Sequence, residues 1–224
     1  GFSFNTEVSV NLADDDGLMR LMIAAGFDAV FVGIEKPDEE GLAECNKEQN
    51  RNRDLIAHVK RMQRTGFQVQ GGFIVGFDSD PPTVFDEISR FIRESGIVTA
   101  MVGLLNAPRG TRLYGRLQKE GRLLREATGD NTDCSLNFEP RMNAAALVSG
   151  YRRVLKSIYA ADPYYARIRS FLTRFSEAGP RPRPRRVRRS DVAGFFRSMY
   201  AYITLLMSVA NSIHEPLNGI IRAE

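Results

Sequence analysis

The residues best suited to bind a ligand stand where apolar segments of the chain end. Glu35 directly follows the apolar run Phe27–Ile34, and Gly33 lies near the end of that run. An acid that follows a buried segment must be solvated, paired or bound to a ligand. Since the next residues already supply acids to the first turn of a helix predicted over Pro37–Glu44, we favour a ligand role for Glu35.

Glycines mark a second apolar segment, the predicted strand Val69–Phe77. Gly72 and Gly76 are four residues apart, so they share one face of an extended strand. Glycine inside a strand weakens it and often marks a bulge or the close approach of a ligand. The smooth face could accept a flat group such as adenine, or the two glycines could relieve crowding against a helix.

Two asparagines close further predicted strands and give weaker signals. Asn11 ends the strand Glu7–Asn11, and Asn106 follows the strand Ile97–Leu105. Asparagine at the end of a strand is commonly only a turn former. The residues after Asn106, Pro108–Thr111, likewise predict a turn first of all.

These positions are set by a unit that occurs three times: an amphipathic helix, a glycine that ends it, and an apolar strand. The three glycines are Gly26, Gly66 and Gly96. The first helix follows three aspartates and is predicted to bury Leu18, Leu21, Met22 and Ala25; the other two cover about 53–65 and 83–94. Nearly continuous apolar strands suit a parallel sheet. The pattern predicts an α/β fold, either a barrel or an open sheet.

The chain changes character after residue 116. A short helix is predicted over Gly115–Arg125, and longer helices over Ala144–Tyr159 and Tyr164–Phe175. A linker rich in proline and arginine follows, and then an apolar helix over Asp191–His214. We therefore predict four segments: a βα region (1–116), a helical extension (117–178), a linker (179–190), and an apolar helix with its tail (191–224).

The composition is that of a soluble globular protein, with 224 residues, 43% hydrophobic residues and a net charge of +4. Six arginines fall between Arg181 and Arg189. Because no aromatic residues interleave them, nucleic-acid stacking is not predicted. A solvated linker is favoured, and peripheral contact of 179–214 with an anionic membrane is the alternative. We expect a cytoplasmic location, with membrane association under that alternative.

Cys45 and Cys134 are the only cysteines and lie far apart, so no metal site is predicted from this chain alone. Two lone cysteines are more often free thiols than a disulfide in a cytosolic protein. The first residue is Gly1 rather than methionine, and a strand begins almost at once. We therefore expect the chain to be a piece of a larger protein.

Three motifs, in order, resemble the later strands of the radical S-adenosylmethionine barrel. They are GIE at Gly33–Glu35, GGFIVGFDSD at Gly71–Asp80 and LLNAPRGTRLY at Leu104–Tyr114. The phrase over Gly33–Leu55 is closest to the cobalamin-binding subgroup, which includes hopanoid methylases. The resemblance covers residues 5–116. It implies a partial (βα) TIM-like barrel with about four parallel strands, followed by a mostly α-helical C-terminal extension.

The resemblance also implies cofactors. In that family a C-x-x-x-C-x-x-C loop holds a 4Fe-4S cluster that binds S-adenosylmethionine, and reductive cleavage gives a 5′-deoxyadenosyl radical. The chain lacks this loop, so we expect the parent protein to hold the cluster and the chain alone to be inactive. The parent would form the radical or transfer a methyl group, and cobalamin is compatible with either.

By position, the resemblance places eight residues at one mouth. Gly33 and Glu35 would lie by the ribose or the methionine, and the adenine would lie by Gly72, Ile74 and Gly76. The same mouth would be lined by Asn11, Leu105 and Asn106.

The expected partners are a small-molecule or lipid substrate and the remainder of the same polypeptide. The strands missing from the barrel would leave an exposed sheet edge, which favours self-association. Two alternatives remain open at this point. One is a non-catalytic α/β ligand-binding module. The other is a fragment of a TIM-barrel lyase, for which Lys36 is the nearest candidate to form a Schiff base.

Overall fold

The computed structural model describes residues 3–44, 47–127 and 135–179, together with residues 193 and 197. Both cysteines therefore lie outside the described residues. So does almost all of the predicted linker, and so does the predicted helix Asp191–His214 except for those two positions. No helix in the described ranges is both long enough and apolar enough to cross a bilayer.

Four parallel strands form one sheet in the order of the chain. They are β1 (Phe4–Val8), β2 (Phe27–Glu35), β3 (Gln68–Val75) and β4 (Ala100–Leu104). Each strand pairs with the next one along the chain, so successive βα units advance across the sheet in one direction. The predicted α/β class, a partial βα fold with a helical extension, is confirmed.

Seven α-helices accompany the sheet within the described residues. They are α1 (Asp16–Ala25), α2 (Glu39–Glu44), α3 (Leu55–Thr65), α4 (Val84–Ser95), α5 (Arg112–Lys119), α6 (Ala144–Tyr159) and α7 (Ala161–Ser176). The three glycines predicted to end helices adopt the left-handed conformation directly after α1, α3 and α4. The carboxylates of Asp15 and Asp54 cap the first turns of α1 and α3.

The main core lies between one face of the sheet and the helices. Alternate residues of β2 and β3 supply it, among them Val30, Val32, Ile34, Phe73 and Val75. The intervening residues point to the other face, where Phe31 and Gly33 are half-buried and Met101 of β4 is 59% exposed. The nearly continuous apolar runs therefore serve one core face, and the second face remains open enough to hold a ligand.

The first βα unit differs from the prediction in two ways. β1 ends at Val8 rather than at Asn11, because Val10–Asp14 forms a 3₁₀-helix. In α1, Leu18 and Leu21 are exposed, and Met19 is the buried residue. The predicted face was therefore wrong at Leu18, Leu21 and Ala25, whereas Met22 is partly buried against the core.

The region after β4 also differs in detail. α5 begins and ends earlier than predicted, and residues 122–125 then pair with residues 137–139. Leu123 forms an antiparallel bridge with Phe138, and the backbone N–H of Glu139 donates to the carbonyl of Arg122 at 2.8 Å. The helix predicted over Gly115–Arg125 therefore ends early, because its last residues form this short antiparallel ladder.

The helical extension is attached to the outer layer of helices. α6 packs on α4 and β4, and α7 packs on α3. The described residues between 3 and 179 belong to one compact unit. The predicted boundaries at 116, 178 and 190 stay predictions.

Arginines of α7 bind the segment that leads into β4. Arg174 donates to the side chain of Gln63 at 2.7 Å and to the carbonyl of Ser95 at 3.0 Å. Gln63 in turn donates to the carbonyl of Gly96. These bonds satisfy carbonyl groups at the end of α4 that would otherwise be buried without partners.

Candidate functional site

A pocket of about 310 Å³ opens where β1 and β2 end. This is the carboxyl end of the parallel sheet, where ligands bind in α/β folds. Phe31, Gly33 and Glu35 alternate along β2 and so line one wall together. Two of the predicted site residues, Gly33 and Glu35, thus belong to this wall.

Glu35 forms an ion pair at the pocket, which the carboxylate residue Glu7 also lines. Oε1 of Glu35 lies 3.1 Å from Nζ of Lys47, and both side chains remain partly exposed, at 16% and 30%. A Cβ at position 33 would lie 2.6 Å from that Oε1 and 3.0 Å from that Nζ. Gly33 therefore makes the room in which this acid–base pair forms.

The backbone at Glu35 is held in an unusual conformation. Its φ is 64°, in the left-handed region, and the register with β3 shifts between Gly33 and Glu35. Nδ2 of the buried Asn50 donates at 3.1 Å to the carbonyls of both Gly33 and Ile34. A left-handed backbone at a residue other than glycine persists only where the surroundings fix it, and Asn50 provides part of that fixation.

Ser9 contributes an unsatisfied polar atom to the same pocket. It lines the pocket beside Glu7, and its Oγ is buried without a hydrogen-bond partner in the described part of the chain. A buried hydroxyl without a partner is costly. A ligand oxygen or a water in the pocket would satisfy it.

Gly72 has a packing role on the pocket side of the sheet. A Cβ at this position would lie 2.8 Å from Cζ of Phe31, so the glycine makes room for that ring. Gly71 makes room on the helix side instead, against Ile97. The alternative that Gly72 relieves crowding thus has support. The group for which it makes room is the Phe31 ring rather than a helix.

Gly76 lies outside the strand, so its predicted shared face with Gly72 was wrong. β3 ends at Val75, and Gly76 has a φ of 110°. Its N–H donates to Oδ2 of Asp80 at 2.7 Å. The residue is glycine because the turn requires a positive φ and because Leu147 lies close by.

Lys36, the residue next to Glu35, points away from the pocket. Its side chain is fully buried and forms an ion pair with Asp80, whose side chain is fully buried as well. Burial raises the pKa of the Asp80 carboxyl, although Lys36 acts in the opposite direction. A Schiff base needs an accessible amine, so the lyase alternative loses support.

Asp78 anchors the loop that follows Gly76. The Arg122 guanidinium contacts both of its carboxylate oxygens, at 2.6 and 2.9 Å, and lowers the pKa of Asp78. The Glu44 carboxylate accepts from the N–H groups of Asp78 and Ser79. This loop is therefore tied both to α2 and to the segment after α5.

The segment after β4 is held by its own contacts. Leu105 is buried and continues the ladder by donating to the carbonyl of Val75 at 2.8 Å. Nδ2 of Asn106 donates to the carbonyl of Leu104. The side-chain amide of Asn137 pairs with both the N–H and the carbonyl of Ala107, at 2.9 and 2.8 Å.

The structure thus brings only part of the predicted set together. Gly33 and Glu35 line the pocket, and Gly72 borders it through Phe31. The other predicted residues are not among those lining it: Asn11, Ile74, Gly76, Leu105 and Asn106. Asn11 is exposed on the 3₁₀-helix, and Ile74 packs in a second small apolar cluster with Phe77 and Leu105. Their roles in binding stay predictions.

Sequence reasoning missed several residues of the pocket. Alternation along β2 would have found Phe31, and alternation along β1 would have found Glu7 once the strand was correctly placed. Lys47 and Gln49 come from an irregular segment in which neither spacing nor composition gives a signal.

Comparisons with known proteins address the identity of the chain. A family model described as a domain of unknown function, DUF4070, matches residues 111–205. The chain is 40% identical over 164 residues to an uncharacterized methyltransferase of Synechocystis, a match that covers 73% of the chain and 30% of the relative. It is 34% identical over 132 residues to the hopanoid C-2 methylase of Rhodopseudomonas palustris, covering 59% and 24%. The chain belongs to the cobalamin-binding radical S-adenosylmethionine family.

A further relative of the chain is the bacteriochlorophyllide d C-12(1)-methyltransferase of Chlorobaculum tepidum. It is 24% identical over 170 residues, covering 75% of the chain and 37% of the relative. The chain thus spans between 24% and 37% of the length of each of these three relatives. The matches support its being a C-terminal part of such an enzyme.

The pocket of the chain suits S-adenosylmethionine, one of the cofactors that the family implies. The neighbouring carboxylate and ammonium of Glu35 and Lys47 complement a zwitterion such as the amino-acid end of S-adenosylmethionine. Ser9, whose hydroxyl lacks a partner among the described residues, lines the same pocket. A 4Fe-4S cluster does not fit the described residues, among which no three potential metal ligands come together.

Proposed function

We propose that the chain forms part of a cobalamin-dependent radical S-adenosylmethionine methyltransferase, and that its pocket binds the amino-acid end of that cofactor. The observation that carries the proposal is the partly exposed Glu35–Lys47 pair, which stands at the carboxyl end of a parallel sheet. The sequence similarity of the chain to proteins named as methyltransferases supports methyl transfer as the reaction class.

In this proposal each group of the pocket has a defined task. The Glu35 carboxylate accepts hydrogen bonds from the cofactor's ammonium, and Lys47 binds its carboxylate. Gly33 leaves room beside the strand for both side chains. The adenine lies at the same face of the sheet, by Gly72 and Ile74.

When bound, S-adenosylmethionine supplies a methyl group or a 5′-deoxyadenosyl radical. The ligands of the 4Fe-4S cluster come from the remainder of the polypeptide, so the chain alone is inactive. We infer that the substrate is a small molecule or a lipid, because relatives are named for a hopanoid and for a bacteriochlorophyllide. Peripheral membrane contact through 179–214 would suit such a substrate.

The first experiment measures equilibrium binding of labelled S-adenosylmethionine to the full-length polypeptide that contains this chain. Losing one charge-assisted hydrogen bond should weaken binding about 10-fold or more. Glu35→Gln and Lys47→Met are therefore expected to raise the Kd. Glu94→Gln, on the outer helix α4, is the control and should leave the Kd unchanged.

Two results would contradict the proposal. One is the absence of binding to the wild-type polypeptide, and the other is unchanged binding in both pocket variants. Transfer of the labelled methyl group to a lipid or tetrapyrrole extract, followed by mass spectrometry, would then test the reaction class separately.

A further inference from the structure

The side chains of Glu35 and Lys36 leave the end of β2 in opposite directions. Glu35 lines the pocket, whereas Lys36 is fully buried. The N–H of Lys36 donates to the carbonyl of Ile34 at 2.8 Å, which closes a tight turn centred on Glu35. Whatever fixes the Lys36 side chain therefore fixes the direction of Glu35.

One carboxylate, that of Asp80, joins this turn to the turn after β3. Oδ1 accepts from the Lys36 ammonium, and Oδ2 accepts from the N–H groups of Gly76 and Phe77, at 2.7 and 3.2 Å. The ammonium also lies 5.8 Å from the centre of the Phe77 ring. The ends of β2 and β3 are thus linked through a single buried ion pair.

The chain keeps space for this lysine. A Cβ at Gly41 would lie 2.4 Å from Cε of Lys36, and the N–H of Gly41 donates to Oδ1 of Asp38 at 2.7 Å. Asp38 also lies 3.4 Å from the Lys36 ammonium. The start of α2 is therefore built around the buried lysine.

Stability alone gives no reason for a charged pair at this place. Removing two charges from water is costly, and apolar side chains of similar volume often stabilise a protein equally well. An ion pair whose carboxylate also accepts backbone hydrogen bonds fixes the relative position of two chain segments. The first segment carries Gly33 and Glu35, and the second follows β3, whose Gly72 and Ile74 the proposed function places by the adenine.

We propose that Lys36 and Asp80 are a positioning pair, which holds the Glu35 carboxylate and the Gly76 turn in the relative arrangement that binds S-adenosylmethionine. The inference rests on the proposed function and extends it to two residues that do not touch the cofactor. Lys36 acts through the left-handed turn at Glu35, and Asp80 acts through the N–H groups of Gly76 and Phe77.

The test uses Lys36→Met, Asp80→Asn and the double variant in the full-length polypeptide. Affinity for S-adenosylmethionine is measured by equilibrium dialysis, and stability is measured by urea unfolding in the absence of ligand. Each single variant should raise the Kd about 10-fold or more. The double variant should regain part of the lost stability, because neither member of the pair leaves the other charged and buried alone, yet its Kd should stay raised. Lys119→Met, on the exposed side of α5, should change neither quantity.

The double variant separates a positioning role from a merely structural one. A folded double variant that binds with the wild-type Kd overturns the inference, even if both single variants unfold. If the double variant binds normally and Glu35→Gln still weakens binding, only the positioning role fails. If Glu35→Gln is also without effect, the proposed function fails with it.

Discussion

The guanidinium of Arg167 on α7 donates from Nε to the carbonyl oxygen of Ile97, in the segment that leads into β4, at 2.8 Å. Further bonds run to the carbonyls of Pro163 and Val98. Arg167 is 2% exposed and has no carboxylate partner in the described part of the chain, and burial lowers its pKa. The buried cation is thus stabilised by backbone carbonyls and by the Tyr164 ring, whose centre lies 5.6 Å from its Cζ.

Arg167→Met should therefore destabilise the protein. The carbonyls that lose their donor remain buried, and each such loss costs about 1–3 kcal/mol. Urea unfolding at neutral pH would measure the change in the free energy of unfolding. Arg169→Met, on the exposed side of the same helix, is the matched control and should have little effect. Equal losses in the two variants would contradict the assigned role of Arg167.

Asn137 offers a second test of a single buried side chain. Its amide bonds both backbone groups of Ala107, so Asn137→Ala leaves a donor and an acceptor unpaired. We expect a loss of about 2 kcal/mol or more. Hydrogen exchange at the Ala107 amide should accelerate more than exchange at amides of β2. Unchanged protection at Ala107 would count against this contact.

Two strand glycines should respond in opposite ways to alanine. Gly72→Ala places a methyl group against the Phe31 ring, whereas nothing lies within 4 Å of a Cβ at Gly103. We expect Gly72→Ala to destabilise by about 1–3 kcal/mol through crowding, and Gly103→Ala to be neutral or slightly stabilising. Thermal unfolding would compare the two variants. Phe31→Ala should remove most of the cost of Gly72→Ala, and an additive double variant would contradict the contact.

The Asp78–Arg122 pair predicts a dependence of stability on pH. The pKa of Asp78 is lowered in the folded protein, first by its hydrogen bonds to Arg122. Its ionised form therefore stabilises the fold fully above the ordinary pKa of 3.8, and this contribution is lost as the pH falls through the lowered value. Urea unfolding between pH 6 and about pH 2.5 should show a shallower acid decline in Asp78→Asn than in the wild type. Parallel curves would refute the contribution.

The edge at β1 predicts self-association. Phe4 of β1 and Leu21 of α1 are 44% and 69% exposed, and among the described residues only β2 pairs with β1. We expect sedimentation velocity to show a concentration-dependent increase in size. Leu21→Glu should reduce it, whereas Leu172→Glu, on the exposed side of α7, should not. A clean monomer at high concentration would contradict the prediction.

The features that could best be predicted from the sequence are those that depend on residues close together in the chain. The ends of α1, α3 and α4 could be placed because a glycine in the left-handed conformation follows each helix. Glu35 could be singled out because an acid after an apolar strand is unusual. β1 was placed too late because Val8 and Val10 alternate with polar residues as in a strand, although Val10 in fact belongs to the 3₁₀-helix.

What could not be predicted depends on contacts between distant residues. Lys36 and Asp80 are 44 positions apart, and nothing local to either one indicates a buried pair. The packing of Phe31 over Gly72 likewise requires the register of β2 against β3. The spacing of Gly72 and Gly76 was misleading because the strand ends between them, at Val75.

The arginines of α7 act at the end of the sheet where β4 begins, whereas the pocket lies where β1 and β2 end. Substitutions on α7 are therefore expected to change how firmly the scaffold is held without reshaping the ligand's surroundings. For protein engineering, this separation means that the firmness of the scaffold and the shape of the pocket can be altered independently of each other.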